Sequence, residues 1–171
     1  GVAVAAMTGL VSGALISGLR MKPFIVTLGA MSILRGAAKG IASEQKIDVD
    51  ARGLDALLAA HPQASGLGVL PPGVWILLAV GLATAGLLHY TRFGRHIFAI
   101  GSSEPTARLC GVSVGRVKVA VYALAAALAG LAGVMEFSTL TVGDPTDSIG
   151  LELEAIAAVV IGGAPLTGGE G

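Results

Sequence analysis

The chain has 171 residues, 54% of them hydrophobic and 13% charged, with eleven basic and eleven acidic residues in balance. Soluble domains carry about 25% charged residues, and the mean hydropathy here is +0.82, so the composition excludes an ordinary water-soluble domain and points to an integral membrane protein. A single cysteine, Cys110, excludes an intrachain disulfide.

The first 19 residues, Gly1–Leu19, carry no charge. As a helix they rise close to the roughly 30 Å thickness of the hydrocarbon layer. Gly9, Gly13 and Ser17 fall at i, i+4 and i+8, which is either a stripe for close helix packing or a reflection of abundant glycine. Arg20 and Lys22 close the run, and Pro23 starts a second helix over about residues 23–38. Its apolar stretch, Phe24–Leu34, is only 11 residues long before Arg35, too short to span unless Arg35 snorkels or faces protein. Of the two, snorkelling at the end of the segment is the expectation.

Residues 39–72 form a polar external loop with Glu44, Asp48, Asp50 and Asp55, and Leu54–Ala60 is a candidate short helix. His61 has no Cys, His or carboxylate partner at metal-ligand spacing, so no metal site is expected. The next spanning helix covers about residues 73–91, with Trp75 and Tyr90 placed for an aromatic belt.

Residues 92–118 hold Arg92, Arg95, Arg108, Arg116 and Lys118 against one acid, Glu104. A short loop this basic belongs on the cytoplasmic side. Its middle has the signals of a short amphipathic helix: Ser102 or Ser103 as cap, Pro105 in the first turn and Gly111 at the end. Cys110 is expected to act as a small packing residue there. His89 and His96 lie beside arginines and read as interfacial residues.

A fourth apolar run, within a helix over about residues 119–138, carries a second small-residue stripe of Ala125, Ala129 and Gly133 and then Glu136 near its end. After a polar segment with Asp144, Pro145 and Asp147, the apolar run near residues 151–162 is too short to cross the membrane alone. With GGAPLTGG behind it, the run reads as a half-helix or re-entrant segment, a backbone form tolerated only against protein or a wet cavity. GGAPLTGGEG lacks the Gly-Lys-Ser/Thr ending of a phosphate loop. Placing residues 92–118 inside also brings Arg20 and Lys22 inside, so seven of the eleven basic residues are cytoplasmic. The chain begins within one apolar run and ends within a glycine-rich motif, as an internal fragment of a longer protein does.

Several motifs in order, TRFGRHIFAIG, A-R-L-C-G-V, ELEAIAAVVIGG and GG-E-G, resemble the permease subunit of bacterial ABC sugar importers of the ribose/xylose type. The resemblance covers nearly the whole chain. It implies an all-α polytopic membrane protein, a bundle of transmembrane helices with a cytoplasmic coupling helix. That helix would dock in a cleft of a separate ABC ATPase subunit through Ser103, Glu104, Ala107, Arg108 and Gly111. Pro105 stands where the family often has Glu, and Ser103 where it has Asn. Glu152, Gly162 and Gly163 would lie near the translocation path. The further implied partners are a periplasmic sugar-binding protein, a second permease copy and the lipid bilayer of the bacterial inner membrane. No nucleic acid and no cofactor is implied, and no catalysis in this chain. The rival readings are an ion-coupled secondary transporter or channel, which should place acids in mid-helix, and an intramembrane enzyme, which would need a nucleophile beside His89.

Overall fold

A computed structural model describes residues 1–19, 21–43, 47–48, 72–140, 142–143 and 150–163. Within them the regular structure is helical apart from one two-residue ladder. The helices are α1 (Val2–Leu19), α2 (Pro23–Ala42), α3 (Pro72–Tyr90), α4 (Arg92–Ser102), α5 (Glu104–Leu109), α6 (Val114–Leu140) and α7 (Leu151–Ile161). Strand β1 (Ile47–Asp48) pairs antiparallel with β2 (Val142–Gly143), with Ile47 opposite Gly143 and Asp48 opposite Val142. Among the described residues four helices, α1, α2, α3 and α6, are long and apolar enough to cross a membrane.

The frame of the fold is an antiparallel pair, α1 against α6. Glycine makes the approach possible. A β-carbon at Gly9 would collide with the Tyr122 carbonyl, and would stand 2.5 Å from the Ala126 methyl. One at Gly13 would meet the Val119 Cα at 2.9 Å. At the two ends, Gly130 faces Ala5 and Gly115 faces Ser17. The first small-residue stripe is therefore a packing face. The second is not the one that meets α1: Ala125, Ala129 and Gly133 are exposed, and α6 uses Gly115, Val119, Tyr122, Ala126 and Gly130 instead. Alanine and glycine are frequent all round α6, so composition leaves its rotation open, and contact with α1 decides it.

Several boundaries differ from the sequence reading. Helix α2 does not stop near Leu34 or residue 38 but runs 20 residues to Ala42, where Ser43 caps it with φ 50. Arg35 is thus inside a full-length helix, because a charged side chain does not interrupt backbone hydrogen bonding. Helix α6 starts at Val114 and has 27 residues, so Gly115 to Lys118 belong to it and not to a loop. The stretch before it is not one short helix in a loop but two helices, α4 and α5, separated by Ser103. The candidate helix Leu54–Ala60, His61 and the GGAPLTGG segment after Gly163 lie outside the described residues.

Side chains on the four long helices are largely exposed, Phe24 at 72% and Leu82 at 73% among them. Bilayer hydrocarbon is as apolar as leucine, so such faces need no protein cover. Among the described residues, three of the five buried hydrophobic ones, Ala107, Val114 and Val117, instead cluster in sequence around the α5–α6 turn.

Candidate functional site

The corner from α3 to α4 is built by two residues. The Thr91 hydroxyl donates to the Leu87 carbonyl at 2.6 Å and accepts from the Gly94 N–H at 3.2 Å, capping α4. Gly94 is buried against the Leu88 carbonyl with no room for a β-carbon. Helix α4 then exposes Arg92, Arg95, His96 and Ala99, while Phe93, Gly94, Ile97 and Ile100 lie on its more buried side. Ile97, Ile100 and Gly101 line an apolar cavity of about 480 Å³ together with Val117, Val121 and Tyr122 of α6.

Helix α5 is six residues long and closed at both ends. The Ser103 hydroxyl caps its start, accepting from the Thr106 N–H at 3.4 Å, and it shares a 2.8 Å hydrogen bond with the Thr106 hydroxyl. Pro105 lies in the first turn. At the other end the Gly111 N–H donates to the Arg108 carbonyl at 3.0 Å and the Val112 N–H to the Ala107 carbonyl at 3.0 Å. Gly111 has φ +81. This is the left-handed glycine closure that satisfies the last carbonyls of a helix. Of the two serines considered as cap, Ser103 fills the position.

Glu104 joins elements. One carboxylate oxygen accepts from the Arg108 guanidinium at 2.7 Å, a turn further along α5. The other accepts from the Lys118 ammonium at 2.6 Å, on α6. The bonds from Lys118 and then Arg108 hold the Glu104 carboxyl below the usual carboxylate range.

Among the residues expected to face a partner, Ala107 is buried and Glu104 is engaged within the chain, while Arg108 and Gly111 are exposed and Ser103 is half-buried. Leu109 belongs to the A-R-L-C-G-V motif but not to the residues expected at the partner, yet it is 88% exposed, an apolar side chain among polar and basic ones. Its signal was present: it directly follows Arg108 on the face opposite the buried Ala107. Cys110 is also exposed rather than packed, because it lies at the C-cap where the backbone turns away.

Glu152 lies in the first turn of α7, where one carboxylate oxygen accepts from the Gly150 N–H at 3.2 Å. Its other oxygen stands 3.9 Å from the Arg35 guanidinium of α2. Arg35 therefore faces another part of the protein, the alternative to snorkelling. Gly162 and Gly163 end α7, Gly163 with φ +87. They lie at the opposite end of an 11-residue helix from Glu152, about 15 Å away at the helical rise, so these three residues do not form one site. Among the described residues no group of His, Cys, Asp and Glu could hold a metal ion.

The family described as "Branched-chain amino acid transport system / permease component" matches residues 1–169. The chain is 40% identical to the ribose import permease protein of Escherichia coli (strain K12) over 99% of its own length and 52% of that protein. It is 37% identical to the L-arabinose transport system permease protein of the same organism, covering 94% of this chain and 48% of that one. A ribose import permease protein of Bacillus subtilis (strain 168) is 38% identical over 94% of this chain and 49% of the relative. The chain thus spans about half the length of these relatives. No solved structure matches it.

Proposed function

The chain belongs to the permease-component family of branched-chain amino acid transport systems, and from that premise we propose that it forms part of the membrane-spanning subunit of an ATP-driven importer for a small sugar. The observation that carries this reading is the 40% identity to a ribose import permease across 99% of the chain. The family description speaks of branched-chain amino acids, whereas the relatives named here are for ribose and L-arabinose, which favours a monosaccharide or related polyol. Such a subunit resides in the bacterial inner membrane, in keeping with four helices able to span it.

In this reading ATP is hydrolysed on a separate ATPase subunit, a periplasmic binding protein delivers the sugar, and a second permease copy completes the pore. Helix α5 is the coupling helix, with Ser103, Glu104, Ala107, Arg108 and Gly111 as its functional residues. Its shape supports the role: it is capped at both ends, so it moves as a unit. Leu109 supplies an apolar knob that a partner pocket would cover. Glu152, Gly162 and Gly163 are proposed beside the path, on a helix too short to cross the bilayer.

The test uses the full-length permease in liposomes with its ATPase and binding protein. Sugar should stimulate ATP hydrolysis for the wild type and not for Arg108→Glu with Gly111→Trp, while the membrane helices still assemble. The second change forces a bulky side chain into a left-handed backbone position. Equal stimulation in the variant would reduce α4 and α5 to a topology signal. Uptake driven by an ion gradient without ATPase would establish the secondary-transporter reading instead.

A further inference from the structure

We infer that Lys118 is a positioning residue for energy coupling, fastening the coupling helix to the membrane helix α6 through Glu104; this rests on the importer reading above. Helix α5 joins α6 covalently at its C-terminal end, through the turn Cys110–Ser113. That turn contains Gly111 in the left-handed region. A push on the exposed face of α5 could fold such a turn like a hinge and go no further. The Glu104–Lys118 bond prevents this. Glu104 is the first residue of α5, at the end away from the turn, and Lys118 is in the second turn of α6, fourteen positions along the chain. The 2.6 Å contact closes a ring, so α5 is attached to α6 at both ends.

Two further observations single out this bond. A cavity of about 230 Å³ borders the same residues, with Ser17, Met21 and Pro23 on one side and Glu104, Arg108 and Lys118 on the other. The charged pair therefore forms part of the wall of this cavity and ties α5 to α6 along it. Arg108 cannot replace Lys118 in this role, because it lies on α5 itself and its bond to Glu104 links α5 to no other helix. From α6 the displacement passes to α1 through the glycine contacts, where no side chain yields.

The experiment measures sugar taken up per ATP hydrolysed by the full-length permease with its ATPase and binding protein in liposomes. Lys118→Met should still co-purify with the ATPase and support basal hydrolysis, yet the ratio should fall by roughly two- to fivefold, as expected for breaking one partly exposed charged link. Lys118→Arg should retain the wild-type ratio. The exchange Glu104→Lys with Lys118→Glu should recover the ratio to within about twofold if the pair acts as a pair. An unchanged ratio in Lys118→Met overturns the inference, as does failure of both Lys118→Arg and the exchange. Loss of ATPase co-purification in Lys118→Met also overturns it, since Lys118 would then be a contact to the ATPase. A wild type that shows no sugar-dependent hydrolysis overturns the importer reading itself, an outcome distinct from the others.

Discussion

Glu104 shows how one residue takes on a role that its position in a motif does not disclose. From the sequence it is a single acid among five bases, and an acid in the first turn of a helix is favoured by the backbone dipole. Its long-range partner is visible only in the structure, because Lys118 lies beyond a turn whose geometry no spacing rule fixes. The side chain is 35% exposed, so solvent screens the pair and each link contributes less than about 1 kcal/mol. Lys118 and Arg108 lower the Glu104 pKa in the folded protein, so the contribution is complete above the unfolded carboxyl value and disappears as pH falls through the folded value. Thermal unfolding of wild type and Glu104→Gln should therefore differ slightly near neutrality and converge below about pH 4. A gap that widens on acidification would contradict the assignment. Ser103, Pro105 and Gly111 were legible at this scale, since capping chemistry is local.

Elements were readable by their apolar runs and unreadable at their ends. Arg35 on α2, and Arg116 and Lys118 on α6, look like boundaries in a hydropathy pattern, but each lies within a continuous helix. Long basic side chains reach polar surroundings without breaking the backbone ladder. Helix α4 was hidden in a basic loop, although Phe93, Ile97 and Ile100 at i, i+4 and i+7 offered the period. The α1 stripe gives an element-scale prediction. Gly9→Val puts a branched side chain against the Tyr122 backbone and the Ala126 methyl, so overpacking should cost about 1–3 kcal/mol. Thermal unfolding of the full-length permease in detergent reads this as a lower midpoint. A midpoint unchanged from wild type would mean that α1 and α6 do not pack through Gly9. For α7 the sequence conveyed shortness correctly, but not that Glu152 stands beside Arg35.

At the scale of the molecule, two sets of contacts fix opposite ends. Met21, Pro23, Glu104, Arg108 and Lys118 surround one cavity, so the α1–α2 junction and the α4–α5 segment share an end. The β1–β2 ladder brings the segments after α2 and α6 together at the other. The positive-inside rule predicts that the end carrying residues 92–118 faces the cytoplasm. Exposed Cys110 makes the orientation measurable. A membrane-impermeant maleimide should modify it in inside-out vesicles and not in right-side-out ones, with the labelled peptide identified by mass spectrometry. The reverse pattern would invert the topology and remove α5 from reach of any cytoplasmic ATPase.

The close seating of α1 on α6 has a mechanical consequence. Where carbonyls and methyls meet glycine Cα atoms there is no layer of soft side chains to shear, so the two helices behave as one stiff plank. Movement that alters the fold then involves other contacts than those between α1 and α6. A load applied at one end of the pair would reach the other with little lost to side-chain rearrangement between them.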